Sequence, residues 1–146
     1  MHSLLLYTHS ILRYFILVLL IVVIVQSLMG WMNKKTYSAT DNRVGLFLFI
    51  FTHTQFLVGL ILYFVSPVVI FSGAAMKESA TRYWLVEHNT MMLIAVVLIT
   101  LARTTSKKMA SAEAKHKRLF IFNTIAFVII LATIWLSGRG ILGTSI

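Results

Sequence analysis

His9 and His88 are the two residues of this sequence best placed to do chemistry. Each lies five residues into a long apolar run, at the same expected depth from the end of that run. An imidazole inside lipid costs free energy unless something satisfies it, and two imidazoles at one depth point to a shared partner. The partner that such rings most often share is a haem iron with both axial positions filled. Arg13 follows His9 by one helical turn on the same face. Its guanidinium either reaches outward to lipid headgroups or pairs with a haem propionate or with Glu87 through its forked donors. Arg82, expected just outside the run that carries His88, is a second propionate partner. Glu87 immediately precedes His88 and projects about 100° away around a helix, which makes it a poor orienting partner for that ring.

The remaining histidines carry less. His53 falls near the middle of the second apolar run, within Thr52-His53-Thr54-Gln55, and no other histidine matches its depth. Either it hydrogen-bonds within the bundle, or with Gln55 it forms a second polar site for a quinone, a proton or a substrate. His2 shares the helical face of His9 but belongs at the water boundary, which makes it a lesser alternative ligand. His116 stands between Lys115 and Lys117 and reads as a solvated surface residue. Cysteine is absent, so disulfides, iron–sulfur clusters and thiolate ligation are excluded.

The elements that must position these rings are legible as four apolar runs, Leu4–Trp31, Val44–Phe71, Tyr83–Ala102 and Leu119–Leu136. Each holds 18 to 28 residues, enough to cross a hydrocarbon core of roughly 30 Å at about 1.5 Å per residue. The chain of 146 residues is 59% hydrophobic and 12% charged, and its mean hydropathy of +0.90 is far above that of a soluble domain. The expected fold is therefore all-α: a polytopic membrane protein, a four-helix up-down transmembrane bundle forming one domain over residues 1–146. The first run does not read as a secretory signal, because it lacks a basic leader and a small-residue cleavage site. Pro67 is placed to end or kink the second span. Lys107–Lys117 is Ala- and Lys-rich and reads as a short surface helix on the membrane. Trp31, Trp84, Trp135, Tyr7, Tyr63 and Tyr83 cluster near span ends, as interfacial aromatics do.

The formal charge of +9 would suggest nucleic acid in a soluble protein, but its distribution points to topology. Lys34, Lys35, Arg43, Arg103, Lys107, Lys108, Lys115, Lys117 and Arg118 fall in the first and third loops, whereas Lys77, Arg82 and Arg139 fall on the other side. That bias places loops one and three in the cytoplasm, both termini outside, and the histidine pair toward the outer, periplasmic face of a bacterial-type inner membrane. The basic residues then face anionic lipid headgroups, and no nucleic-acid partner is expected.

In an up-down bundle, spans one and three run parallel and lie diagonally across the core. Neighbouring helices pack about 8–10 Å apart, so the diagonal is roughly 12–14 Å. That distance leaves room for one hexacoordinate iron between two inward-reaching imidazoles. The macrocycle, a haem b, would stand between spans two and four.

The order His9-Ser10-Ile11-Leu12-Arg13, then Gln55-Phe56-Leu57-Val58-Gly59, then Glu87-His88 with Ala95 further on, resembles one half of the haem A synthase family. The likeness runs over roughly Tyr7–Leu101. It implies a four-helix bundle whose axial ligands correspond to His9 and His88, with Gln55 to Gly59 on the helix between them. The family's reactive half has a carboxylate three residues before its first histidine, where this chain has Leu6. Its paired outer cysteines have no counterpart here, and only half its length is present. The resemblance therefore implies a haem-holding bundle, like the family's cofactor-binding half, and argues against haem A synthesis by this chain alone. A homodimer would rebuild the eight-helix shape.

Three functions compete. The first is a small b-type cytochrome, an electron carrier or redox subunit whose partner is a dehydrogenase, a quinone or an outer electron carrier. The second is a cofactor-free assembly or structural subunit of a larger membrane complex, its histidines bonded to neighbouring helices. The third is an enzyme or transporter that handles a small lipid-soluble substrate around His53, Gln55 and Arg13.

Overall fold

The computed structural model describes residues 2–65 and 88–136. They form four helices: α1 (His2–Met32), α2 (Ala39–Val65), α3 (His88–Ser106) and α4 (Ala112–Leu136). No strand occurs among the described residues. Three segments, Ser3–Met32, Ala39–Ile61 and Ala112–Trp135, are long and apolar enough to cross a membrane. The described part of α3 is shorter, with its apolar stretch at Thr90–Ser106. The expected start of the third span at Tyr83 lies outside the described residues, as do Pro67 and the outer end of the second span.

Polar residues persist in these apolar helices because they turn back on their own backbone. Ser27 Oγ donates to Val23 O at 2.6 Å, Thr133 Oγ1 to Ile129 O at 2.7 Å, and Asn123 Nδ2 to Leu119 O at 2.9 Å. Each bond satisfies a donor that lipid or an apolar core could not.

The helix ends are set by recognisable chemistry. Lys34 adopts a left-handed φ of 53°, and Lys35 N donates to Gly30 O at 2.9 Å, the 6→1 bond that closes α1. Ser38 and Asp41 open α2 with a reciprocal box: Asp41 N donates to Ser38 Oγ at 3.1 Å, and Ser38 N donates to Asp41 Oδ2 at 3.0 Å. Ser111 Oγ accepts from Ala114 N at 3.1 Å and starts α4. We expect Ser38→Ala to cost about 1 kcal/mol, seen as a lower midpoint in detergent unfolding of the purified protein.

Several expected boundaries change here. Residues 112–118 are not a separate surface helix but the first two turns of α4, which begins at Ala112 rather than Leu119. The Ser111 cap and the good helix formers Ala112, Glu113 and Ala114 start the helix before the apolar run does. Likewise α2 begins at Ala39, ahead of Val44, and α3 continues to Ser106, past Ala102.

α1 packs on α2 and α4, and α3 packs on α4, while α2 and α3 make the loosest adjacent pair. α1 and α3 therefore occupy one diagonal of the bundle, as their sequence order implies. The core runs through Leu20, Leu48, Ala95, Ile99 and Ala126, all nearly inaccessible. Outside, Val18, Leu57, Val128 and Trp135 are exposed, an apolar exterior of the kind that a lipid solvent covers.

Candidate haem-binding cavity

Side chains of the two diagonal helices line a common cavity. His9 on α1 and His88 on α3 both line a cavity whose empty volume, open mouth included, is about 930 Å³. Gln55, Phe56, Gly59 and Leu60 of α2 form one wall, and Ile130 and Ile134 of α4 form the far side. The mouth faces the loosest seam of the bundle, because the lining residues Phe56, Leu60 and Leu93 on α2 and α3 are themselves exposed.

His9 is 7% exposed. A Cβ built on Gly59 would stand 3.2 Å from His9 Nε2, so a glycine here lets α2 come close to the ring. One turn earlier on α2, Gln55 Nε2 donates to His9 O at 2.8 Å and ties the backbone of α1 at His9 to α2. His88 is half-buried at the first described turn of α3. Met92, Ala95 and Ile99 continue the α3 lining in an apolar stripe at helical spacing.

Arg13 also lines the cavity and is 7% exposed, so its guanidinium does not reach outward to headgroups. Its Nη2 donates to Tyr14 Oη at 3.1 Å, and the guanidinium carbon stands 4.9 Å from the centre of that ring. The sequence placed Arg13 on the face of His9, and the structure puts both in one cavity. Arg82 and Glu87 lie outside the described residues, and so does the side chain of His2.

Gln55 and His53 do not share a second polar site. Gln55 faces the His9 cavity, whereas His53 Nδ1 meets Phe49 O at 2.8 Å and His53 Nε2 meets Thr100 Oγ1 at 3.3 Å. A neutral ring facing a carbonyl through Nδ1 donates there; Nε2 then stands beside the Thr100 hydroxyl, whose one proton goes at shorter range to Val96 O at 2.7 Å, so His53 brings α2 and α3 into polar contact across the loosest seam. The two side chains diverge because residues two apart on a helix lie about 200° around its axis.

His116 corrects the sequence reading outright. It is 1% exposed, with its Nε2 3.3 Å from Thr36 O and its ring 5.7 Å from that of Tyr37. Gly30 makes the room: a Cβ there would come within 2.5 Å of the imidazole. The lysines on either side turn outward onto aromatic rings, Lys115 Nζ standing 5.5 Å from the Tyr37 centre and Lys117 Nζ 5.8 Å from that of Trp31. Arg103 on α3 joins the same end, donating from Nη1 to Asn42 O at 3.3 Å. Burial pushes the Tyr37 phenol above its ordinary range, opposed by Arg103, so it stays neutral at physiological pH. Sequence reasoning missed this cluster, whose one local sign was a glycine in the last turn of α1.

Among the described residues, no three or more His, Asp or Glu side chains gather to hold a metal ion. A macrocycle that brings its own four equatorial nitrogens needs only two axial ligands, and the cavity offers two imidazoles. It also offers apolar walls, a buried guanidinium for an acidic substituent, and the close approach at Gly59, so the residues present fit such a group. Comparisons of the chain with protein-family models, curated proteins and solved structures gave no match.

Proposed function

We propose that this chain is a b-type haem-binding membrane protein that carries electrons through one haem held by His9 and His88. The observation behind this reading is the convergence of the two imidazoles, from helices that are diagonal rather than adjacent, on one apolar cavity. The haem A synthase likeness of the His9–Arg13, Gln55–Gly59 and Glu87–His88 segments agrees with it. When bound, haem b supplies one-electron redox chemistry, and filling both axial positions favours electron transfer over oxygen chemistry.

The chain's own residues do the rest. His9 and His88 would hold the group through their ring nitrogens, Arg13 would compensate an acidic substituent, and Ile130, Ile134 and Met92 would exclude water from it. Arg82, six residues before His88 in sequence, would serve a second propionate. The bundle spans the membrane up and down, with the helix ends at residues 32–39 and 106–112 in the cytoplasm. The contact between His116 and Thr36 supports this, since it brings the two most basic connections to one end. The haem then lies toward the opposite, outer face of an inner membrane, and its redox partner is a dehydrogenase, a quinone or an outer electron carrier.

The test is a haem titration of the purified protein in mild detergent, followed by oxidised and dithionite-reduced spectra. Saturation at one haem per chain with low-spin bands is the expected result. A protein that stays colourless at saturating haem rejects the reading.

A further inference from the structure

We infer that Gln55 is the positioning residue for His9, fixing the imidazole with its proton on Nδ1 and its lone pair on Nε2. This deepens the haem reading and rests on it for its consequence, though not for its test. The Gln55 amide is oriented by chemistry, because only its NH₂ end can donate to His9 O, at 2.8 Å. The other end, Oε1, is then turned away from that carbonyl, and it is buried without a hydrogen-bond partner among the described residues. His9 Nδ1 is buried in the same condition.

The two unpartnered atoms belong to residues already joined through the backbone of one and the side chain of the other. One atom can only accept, and the other donates in one of the two neutral tautomers. Pairing them takes a rotation of the amide or the ring, or one water between them. Buried polar atoms left open are costly, so the pairing satisfies both at once. It also selects the tautomer in which Nε2 is bare.

Nε2 is the nitrogen for which Gly59 leaves space, at 3.2 Å from where a Cβ would be. Gln55 and Gly59 are one turn apart on the same face of α2, so one stripe of that helix sets both the proton and the clearance of the ring. A histidine that ligates a metal usually donates its other N–H to such an acceptor, which fixes its orientation and raises its basicity.

The experiment compares wild type with Gln55→Leu and Gln55→Glu in the full chain. In the haem-free protein, ¹⁵N shifts of the His9 ring should report protonated Nδ1 in wild type and a mixture of tautomers in Gln55→Leu. With haem added, Gln55→Leu should bind about 10–100-fold more weakly and show a raised midpoint potential. Gln55→Glu, which again presents an acceptor to Nδ1, should restore both toward wild type. The same tautomer in all three proteins, or equal affinity and potential, overturns the assignment. If Gln55→Leu fails to accumulate, the tautomer of wild type decides: a proton on Nε2 overturns it. Wild type that binds no haem yet shows the Nδ1 proton sinks the haem reading and leaves the positioning role standing.

Discussion

Replacing either His9 or His88 with alanine is expected to abolish the low-spin haem spectrum, and replacing both should leave a colourless protein. The expectation follows from the ligand count. A bis-imidazole iron needs both rings, and no third His, Asp or Glu stands with them among the described residues. Neither ring belongs to the packed core, which runs through Leu20, Leu48, Ala95, Ile99 and Ala126. The variants should therefore still fold, with helical circular dichroism close to wild type. His53→Ala is the matched control. It removes a helix-to-helix polar contact worth at most about 0.6 kcal/mol in a membrane bundle, but His53 does not line the cavity, so the haem spectrum should persist. Loss of colour in His53→Ala with retention in His9→Ala would reverse the roles given to these rings.

The second large effect lies at the other end of the bundle. Gly30→Ala places a methyl group within 2.6 Å of three atoms of the His116 ring. That ring is 1% exposed and held between Gly30, Tyr37 and Thr36, so it has little room to withdraw. Forcing extra volume into such a packed site typically costs about 1–3 kcal/mol, and Gly30→Val should cost more. The contact predicts coupling: adding His116→Ala to Gly30→Ala should recover part of the loss, with an interaction energy of about 0.5–3 kcal/mol in a double-mutant cycle. Additive losses in detergent unfolding would show that the two residues do not press on one another. Haem binding at the far cavity should be unaffected in every member of the cycle.

These two ends differ in how far the sequence exposes them. The histidine pair could be seen in advance because depth in a span and parallel direction are linear properties of the chain, and the diagonal relation of α1 and α3 follows from their order. Arg13 was placed by the same periodicity, one turn from His9, although its burial against the cavity was left open between two outcomes. Gly59 and Gln55 were visible as a short spaced pair, but not the bond from Gln55 Nε2 to His9 O, which joins residues far apart in sequence.

The basic end was misread for a physical reason. Lys115, His116 and Lys117 are all polar in sequence, and nothing local separates a ring that turns inward from lysines that turn out onto Tyr37 and Trp31. What distinguishes them is Gly30 on another helix, whose missing side chain leaves the space. The start of α4 was misplaced for a related reason: hydrophobicity marks where a helix meets lipid, whereas the Ser111 cap marks where the backbone begins to coil. The separation of His53 from Gln55 was missed because neighbouring polar residues were grouped by sequence rather than by helical angle.

The most direct measurement is an experimental structure of the haem-supplemented protein, with anomalous scattering collected at the iron absorption edge. One iron peak per chain, lying between the Nε2 atoms of His9 and His88 with the macrocycle against Gly59, is the expected result. An iron held by any other residue, or no iron beside His9 in crystals that contain haem, would contradict it.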